Sequence, residues 1–177
     1  GQHIWEVPDS TLSFTNDIMV IVSDLESNTS RDTMDGVFAI IDNTPPDIVI
    51  NKPEVNFEVR EYEQIQVSWV SSDNIEMDSV RIFYSNDGGI AYEMMGAVSS
   101  ENSDFSFNIP AGVGEIAQIK TIAVDIYGNE GEDTSDYFSV TDNTPPQVTV
   151  NAVSDAGTQD SLYISWDASD NTGIASN

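Results

Sequence analysis

A five-residue motif, Asp-Asn-Thr-Pro-Pro, occurs twice in the chain, at residues 42–46 and 142–146, one hundred positions apart. The residues that follow each copy also match. They are Ile48, Val49, Ile50, Asn51, Ser68, Trp69, Ser72, Asp73 and Asn74 after the first copy, and Val148, Thr149, Val150, Asn151, Ser165, Trp166, Ser169, Asp170 and Asn171 after the second. A period close to the commonest domain size predicts a tandem array whose units each hold their own core.

The repeat period divides the chain into three parts. Residues 1–42 correspond to the C-terminal part of one repeat, residues 43–142 to a complete repeat, and residues 143–177 to the N-terminal part of a third. We therefore expect the chain to begin and end inside domains. Either it is a piece of a longer protein, or the ends of neighbouring chains complete each other. The first alternative is favoured, because a composite of the two ends would lack the equivalent of residues 80–102.

Short runs of alternating apolar residues recur through the complete repeat. The clearest runs are Ile65, Val67 and Trp69, and Val80, Ile82 and Tyr84. An alternation of period two is typical of strands with one buried face, and turn-forming sequences such as residues 86–89 separate the runs. We predict an all-β fold of tandem Greek-key β-sandwiches with about seven strands each and with Trp69 in the core.

The composition is strongly acidic. The chain has 31 Asp and Glu against 5 Lys and Arg, which gives a formal net charge of −26. Such a surface repels phosphate backbones and anionic headgroups, so we expect no nucleic-acid partner. No apolar run is long enough for membrane insertion. The chain has no cysteine, so packing or hard cations must stabilise it in place of disulfides and thiolate metal sites.

Sequence patterns for catalysis are missing. His3 is the only histidine, and it stands near one end of the chain without companions for a catalytic triad or a zinc site. The sequence contains no phosphate-binding loop, dinucleotide fingerprint or nucleophile elbow. No acidic residue is singled out by apolar neighbours that would raise its pKa. We therefore predict that the chain is not an enzyme.

Several short motifs occur in an order and spacing that identify a type of repeat. They are Val67-Ser68-Trp69 followed by Ser72-Asp73-Asn74, Tyr84-Ser85 with Asp87-Gly88-Gly89, Phe107-Asn108-Ile109-Pro110, and Val124-Asp125 followed by Gly128-Asn129. Together with the linker motif, they resemble the immunoglobulin-like or fibronectin type III-like repeats of large bacterial and archaeal cell-surface proteins. The resemblance implies an extracellular spacer or adhesive stalk, often with calcium at the junctions between domains.

Acidic and amide side chains recur at one pole of each predicted sandwich, where the interdomain linker and the loops after the second and sixth strands meet. Carboxylate, amide and backbone oxygens are the ligands that calcium prefers, so we predict a calcium ion at each junction. The linker is also similar to the Asp-Asn-x-Pro junction of cadherins, which implies the same use of calcium. The predicted ligands are Asp42, Asn43, Asp73, Asn74, Asp125 and Asn129 in one complete site, and Asp142, Asn143, Asp170, Asn171, Asp24 and Asn28 in two half sites.

Three functions remain open on the sequence alone. The leading one is a calcium-stiffened adhesin-type stalk at the cell surface, whose partners are neighbouring repeats of the same chain or of identical chains and whose distal adhesive ligand is not identified. Its linker is short and is kept extended by two prolines. The first alternative is a subunit of an extracellular filament or surface layer that assembles end to end. The second is a carbohydrate-binding module, for which Tyr62, Tyr92 and Tyr127 are the candidate aromatic residues.

Overall fold

The computed structural model describes residues 1–8, 11–153, 157–158 and 161–175. All regular structure in these residues is β-strand, and none of them forms a helix long and apolar enough to cross a membrane. The strands are β1 (Ser13–Asn16), β2 (Met19–Ser23), β3 (Thr29–Thr33), β4 (Phe38–Ile40), β5 (Asp47–Lys52), β6 (Glu58–Arg60), β7 (Gln64–Ser72), β8 (Met77–Ser85), β9 (Glu93–Ser99), β10 (Asp104–Asn108), β11 (Gly114–Asp125), β12 (Glu130–Thr134), β13 (Phe138–Thr141), β14 (Gln147–Val150) and β15 (Trp166–Ser169). The all-β prediction is confirmed.

Strands β5 to β13 form a sandwich of two sheets in the complete repeat. One sheet has the order β10-β7-β5, and the other has the order β6-β13-β11-β8-β9, with β12 also paired to β11. The strand pairs are antiparallel except for β13 with β6. The first strand is divided into β5 and β6, and the last into β12 and β13. The segments therefore occupy seven strand positions, and the predicted immunoglobulin-like sandwich is confirmed.

The core lies between the two sheets and follows the predicted alternation. On β7, Ile65, Val67 and Trp69 are buried, whereas the residues between them are more exposed. The buried apolar residues are Ile48, Val59, Ile65, Val67, Trp69, Val80, Ile82, Tyr84, Ile109, Ala117, Ile119, Ala123, Phe138 and Val140. Burying one large apolar side chain contributes about 1.5–3 kcal/mol, so the complete repeat holds a core of its own.

The strands on either side form small separate sheets that pair β1 with β4, β2 with β3, and β14 with β15. Most of their apolar side chains are exposed, whereas Phe38 and Ile40 of β4 are half-buried. Trp166 is 62% exposed, although its counterpart Trp69 is only 2% exposed. The difference arises because no second sheet covers Trp166 within the part of the chain that the structure describes.

The strand pairing brings three chain segments to one end of the sandwich, which we call the linker pole. Asp47, the first residue of β5, pairs with Ser72 at the end of β7. Met77, the first residue of β8, pairs with Asp125 at the end of β11. The linker, the β7–β8 loop and the β11–β12 loop therefore meet at the linker pole. The opposite end, which we call the far pole, holds the β6–β7 turn and the β10–β11 loop.

Candidate metal centre

Three carboxylates from separate segments converge at the linker pole. Asp42 belongs to the linker, Asp73 to the β7–β8 loop, and Asp125 ends β11. One oxygen of each carboxylate lies within 4.8 Å of the corresponding oxygens of the other two. Asp42 and Asp125 are 7% and 2% exposed, and Asp73 is partly exposed. The arrangement concentrates like charges in a place largely shielded from water, which is costly without a compensating positive charge.

The linker is fixed to the body of the sandwich on the C-terminal side of this cluster. Pro46 is buried, and its carbonyl oxygen lies so close to Gly131 of β12 that a Cβ at this position would collide with it. Further along, the N–H of Ile50 donates to Asp133 Oδ2 at 2.8 Å. These contacts to β12 fix the position of the linker at the linker pole.

The Asp125 carboxylate is held by the turn that follows it. Its Oδ1 accepts the N–H groups of Tyr127 at 2.8 Å and Asn129 at 2.9 Å, and its Oδ2 accepts Asn129 Nδ2 at 2.7 Å. Gly128 closes the turn with a φ of 87°, a conformation that favours glycine. Burial raises the pKa of Asp125, but these hydrogen bonds outweigh burial and hold the pKa below the ordinary value of 3.8. Asp125 is therefore ionised at neutral pH.

The loop between β2 and β3 repeats this turn in the N-terminal segment. Asp24 Oδ1 accepts the N–H groups of Glu26 at 3.0 Å and Asn28 at 2.7 Å, and Oδ2 accepts Asn28 Nδ2 at 2.8 Å. The Asn28 side chain is the main cause of the lowered pKa of Asp24. The matching contacts identify this loop as the counterpart of the β11–β12 loop. Apart from these bonds between Asp24 and Asn28, no hydrogen bond in the described residues joins either residue to a predicted ligand.

Two asparagine amides lie among the three carboxylates. Asn74 Nδ2 donates to Asp42 Oδ1 at 3.1 Å, and Asn129 Nδ2 lies 3.5 Å from Asp42 Oδ2. These N–H groups partly offset the repulsion between the carboxylates. Asp73 is less well satisfied, because its Oδ2 accepts the N–H of Ile75 at 3.1 Å whereas its buried Oδ1 has no hydrogen-bond partner among the described residues. A buried carboxylate oxygen without a partner is an atom that a cation would satisfy.

A second, smaller cluster forms where the second linker meets the end of β15. Thr172 Oγ1 lies 2.8 Å from both Asp142 Oδ2 and Asp170 Oδ2. A hydroxyl carries one hydrogen, so Thr172 can donate to only one of these two oxygens. Asp170 Oδ1 is buried and has no hydrogen-bond partner in the described residues. The N–H of Thr144 is the main cause that holds the pKa of Asp142 below 3.8, so this cluster is also anionic at neutral pH.

A carboxylate that the sequence did not single out lies beside the second linker. Glu61 belongs to the β6–β7 turn at the far pole of the complete repeat and is 1% exposed. Its Oε2 accepts the hydroxyl of Thr144 at 2.8 Å, and Asn143 and Asn171 also donate to Glu61. The far pole of one repeat therefore contacts the linker to the next repeat and the loop that follows β15 in that repeat.

The fold is similar to that of immunoglobulin and fibronectin type III domains of known structure. No protein-family model matches the chain, and no curated protein matches it. Among solved structures, it is similar to the fibronectin(III)-like modules of Clostridium thermocellum CbhA (13% identity, TM-score 0.49). It is also similar to Dpr2 Ig1-Ig2 in complex with DIP-Theta Ig1-Ig3 (14%, 0.31) and to the N-terminal four Ig domains of Dscam1 isoform 6.44 (9%, 0.33). In that order, the matches cover 72%, 81% and 82% of this chain and 64%, 44% and 38% of the matched chains, so the chain spans less than two thirds of each.

The other predicted asparagine ligands lie in different surroundings. Asn43 is exposed, and no hydrogen bond of its side chain joins the cluster in the described residues. Asn143 Nδ2 donates to the backbone carbonyl of Glu61 at 3.3 Å, on the side of the preceding repeat. Asn171 Nδ2 lies 3.3 Å from Glu61 Oε2, and Asn171 also helps to lower the pKa of Asp142. At the second junction, Thr172 links Asp142 to Asp170, and the Asn171 side chain contacts Asp142, whereas the Asn143 side chain contacts Glu61 instead of this cluster.

Two contacts were missed by the sequence prediction, those of Glu61 and Thr172. Thr172 follows the repeated Asp-Asn pair at the position where the complete repeat has Ile75. An alignment of the repeats therefore gives no signal for the hydroxyl. The sequence offers one hint, which is that Thr172 has a side-chain oxygen and directly follows two predicted ligands, Asp170 and Asn171.

The residues considered for catalysis and sugar binding are dispersed. His3 is exposed. Tyr127 lies in the β11–β12 loop at the linker pole, whereas Tyr62 lies at the far pole. Tyr92 packs beside Lys120, whose Nζ is 4.8 Å from the centre of its ring. The three tyrosines therefore do not form a continuous row of exposed rings.

Proposed function

We propose that this chain is a structural repeat segment of an extracellular, cell-surface stalk that calcium stiffens at the junctions between domains. The observation that carries the proposal is the convergence of the Asp42, Asp73 and Asp125 carboxylates to within 4.8 Å. One carboxylate belongs to the linker and two belong to the body of the sandwich that follows it. A shared cation would therefore tie the linker to the body.

The side chains at the linker pole fit a hard divalent cation. Calcium takes about six to eight oxygen ligands at roughly 2.3–2.6 Å and tolerates irregular geometry. The three carboxylates supply negative charge, Asn74 and Asn129 carry amide oxygens, and water completes the set. Asp73 Oδ1 is buried and has no hydrogen-bond partner among the described residues, so a bound ion would neutralise its charge. Magnesium fits less well because it demands a near-octahedral shell and keeps much of its water.

Stiffening follows from the position of the cluster along the chain. Pro45 and Pro46 keep the linker extended, and Pro46 is already packed against Gly131. The freedom to bend that remains lies on the N-terminal side, near Asp42. A cation bound there would fix Asp42 to the two neighbouring loops and would offset the like charges that drive them apart. The net charge of −26 makes repulsion between modules the default state without such cations.

Calcium titration and small-angle X-ray scattering test the proposal. Titration calorimetry of the EDTA-treated chain should show binding that Asp42→Asn weakens. The control Asp78→Asn removes an exposed carboxylate of β8 and should leave binding unchanged. In scattering, calcium should lengthen the particle, and a chelator should reverse the change. An unchanged maximum dimension, or equal losses of affinity in the two variants, would contradict the proposal.

A second candidate function is a subunit that assembles end to end into a filament or surface layer. The observation that favours it is the exposed apolar side of the flanking sheets, where Val22 is 64% exposed and Val148 is 66% exposed. Strands from an identical chain would cover these residues, as would further repeats of the same chain. Sedimentation of the purified chain separates the two roles. A filament subunit forms regular polymers, whereas a stalk segment stays monomeric or aggregates without order.

A further inference from the structure

Glu61 is a buried carboxylate at the far pole. It is 1% exposed, and among the described residues no lysine, arginine or histidine forms an ion pair with it. Burying a carboxylate is costly unless hydrogen bonds replace the water that it loses. The origin of the hydrogen-bond donors therefore decides what keeps Glu61 in place.

Most of the described donors to the Glu61 carboxylate belong to the following repeat. From its own repeat, Oε1 accepts the N–H of Gly112 at 2.6 Å. From the linker, Oε2 accepts the hydroxyl of Thr144 at 2.8 Å and lies 3.5 Å from the N–H of Asn143. From the loop after β15, Asn171 Nδ2 lies 3.4 Å from Oε1 and 3.3 Å from Oε2. The carboxylate is thus satisfied mainly from across the junction.

Hydrogen bonds to its backbone hold Glu61 in position at the far pole. Its N–H donates to the carbonyl of Thr141 in β13 at 3.0 Å, and its own carbonyl accepts Asn143 Nδ2 at 3.3 Å. Gly112 has a φ of 128°, which only glycine adopts without strain, and a Cβ there would crowd the Asn86 side chain. The N–H that holds Oε1 is therefore set by a backbone conformation specific to glycine.

We propose that Glu61 is a latch that holds the following repeat in a fixed orientation without metal. Its donors are a hydroxyl, amides and backbone N–H groups, none of which needs a cation. Those from the next repeat come from two separate segments, the linker and the loop after β15, so the latch opposes both bending and rotation about the linker. The nearby negative charge of Asp142 works against the latch, which makes the hydrogen bonds the decisive contribution. The inference goes beyond the calcium proposal and does not depend on it.

Distance measurement between spin labels tests the latch. The chain has no cysteine, so Ala97→Cys on β9 and Thr149→Cys on β14, both exposed, can be labelled without background. Double electron–electron resonance in EDTA should give a narrow distance distribution for this labelled parent. Glu61→Ala should broaden the distribution roughly twofold or more, because a released linker samples many orientations.

Matched variants keep the test decisive. Glu63, exposed in the same turn, accepts the N–H of Arg60 at 3.2 Å, and Glu63→Gln should leave the distribution unchanged. If Glu61→Ala disturbs folding, as judged by circular dichroism, Thr144→Val removes a donor from the opposite side and should also broaden the distribution. The latch is refuted if the parent is already broad in EDTA, or if Thr144→Val leaves it narrow. Calcium binding at Asp42 is measured separately, so either proposal can fail alone.

Discussion

Replacing Asp73 with asparagine should have opposite effects on stability with and without calcium. Asp73→Asn keeps an oxygen that can accept the N–H of Ile75, but it removes one negative charge from the cluster. Without calcium, that charge only repels Asp42 and Asp125. With calcium, it is a ligand. The variant should therefore be more stable than the parent in EDTA and less stable in excess calcium.

The size of the effect follows from the distances between the carboxylate oxygens, which are at most 4.8 Å. At an effective dielectric constant of about 20, two unit charges at this distance repel each other by about 3.5 kcal/mol. Partial exposure of Asp73 and the amides of Asn74 and Asn129 reduce the two repulsions to a net of about 1–2 kcal/mol. Removing this net repulsion raises the melting temperature by roughly 5–15 °C in a domain of this size. Calcium at about a hundred times its dissociation constant adds about 2.7 kcal/mol to the parent, most of which the variant loses.

Thermal unfolding followed by tryptophan fluorescence measures this change in the complete repeat. Trp69 is 2% exposed, whereas Trp5 and Trp166 are 56% and 62% exposed. Trp5→Phe and Trp166→Phe leave Trp69 as the single reporter, inside the core of the complete repeat. The melting temperatures of this parent and of its Asp73→Asn variant are then compared in EDTA and in excess calcium.

A second carboxylate in the same loop provides the control. Glu76 is exposed, so Glu76→Gln removes the same charge from a position where solvent screens it. Its melting temperature should change little in either buffer. The reasoning is refuted if Asp73→Asn shifts the melting temperature in the same direction in both buffers. It is equally refuted if calcium leaves the melting temperature of the parent unchanged.

Two further changes test the linker contact and the ionisation of the site. Gly131→Ala should destabilise the complete repeat by about 1–3 kcal/mol, because its Cβ would collide with the Pro46 carbonyl; an unchanged urea midpoint would contradict that contact. Burial raises the pKa of Asp125, but hydrogen bonds from Asn129 outweigh burial and lower the pKa in the folded state. The stabilisation by ionised Asp125 is therefore complete above pH 3.8 and is lost as the pH falls through the lower folded-state pKa. Urea unfolding at a series of pH values should show that Asn129→Ala moves this loss to higher pH, and an unmoved profile would count against it.

Much of the fold follows from the pattern of side chains. The alternation of Ile65, Val67 and Trp69 predicts both strand β7 and the face that it buries. Strand β9 has no such alternation, because it lies at the edge of its sheet, where Gly96 packs against the ring of Phe105. The division of the first strand into β5 and β6 is also absent from the pattern. It reflects a crossing from one sheet to the other, which tertiary packing decides.

The candidate site could be predicted in outline because its aspartates recur at equivalent positions in the repeats. The contact across the junction could not be predicted in this way. Counting back from the paired residues Trp69 and Trp166 places Thr158 at the position of Glu61, so the repeats give no sign of a shared role. In addition, a hydrogen bond between two sandwiches depends on their relative orientation, which no local pattern encodes. Calcium binding by the cluster stays a prediction.

The second copy of the linker motif explains why these residues stand next to each other. Asp142 faces the following repeat, where its carboxylate contacts Thr172 at 2.8 Å. Asn143 and Thr144 face the preceding repeat, where both donate to Glu61. The change of side occurs within one turn, which the N–H of Thr144 closes by donating to Asp142 Oδ1 at 2.9 Å. The prolines that follow cannot continue such a turn and hold the exit extended. An inserted residue would separate the carboxylate from that N–H and open the turn, so the contacts to both repeats require the spacing found in both copies.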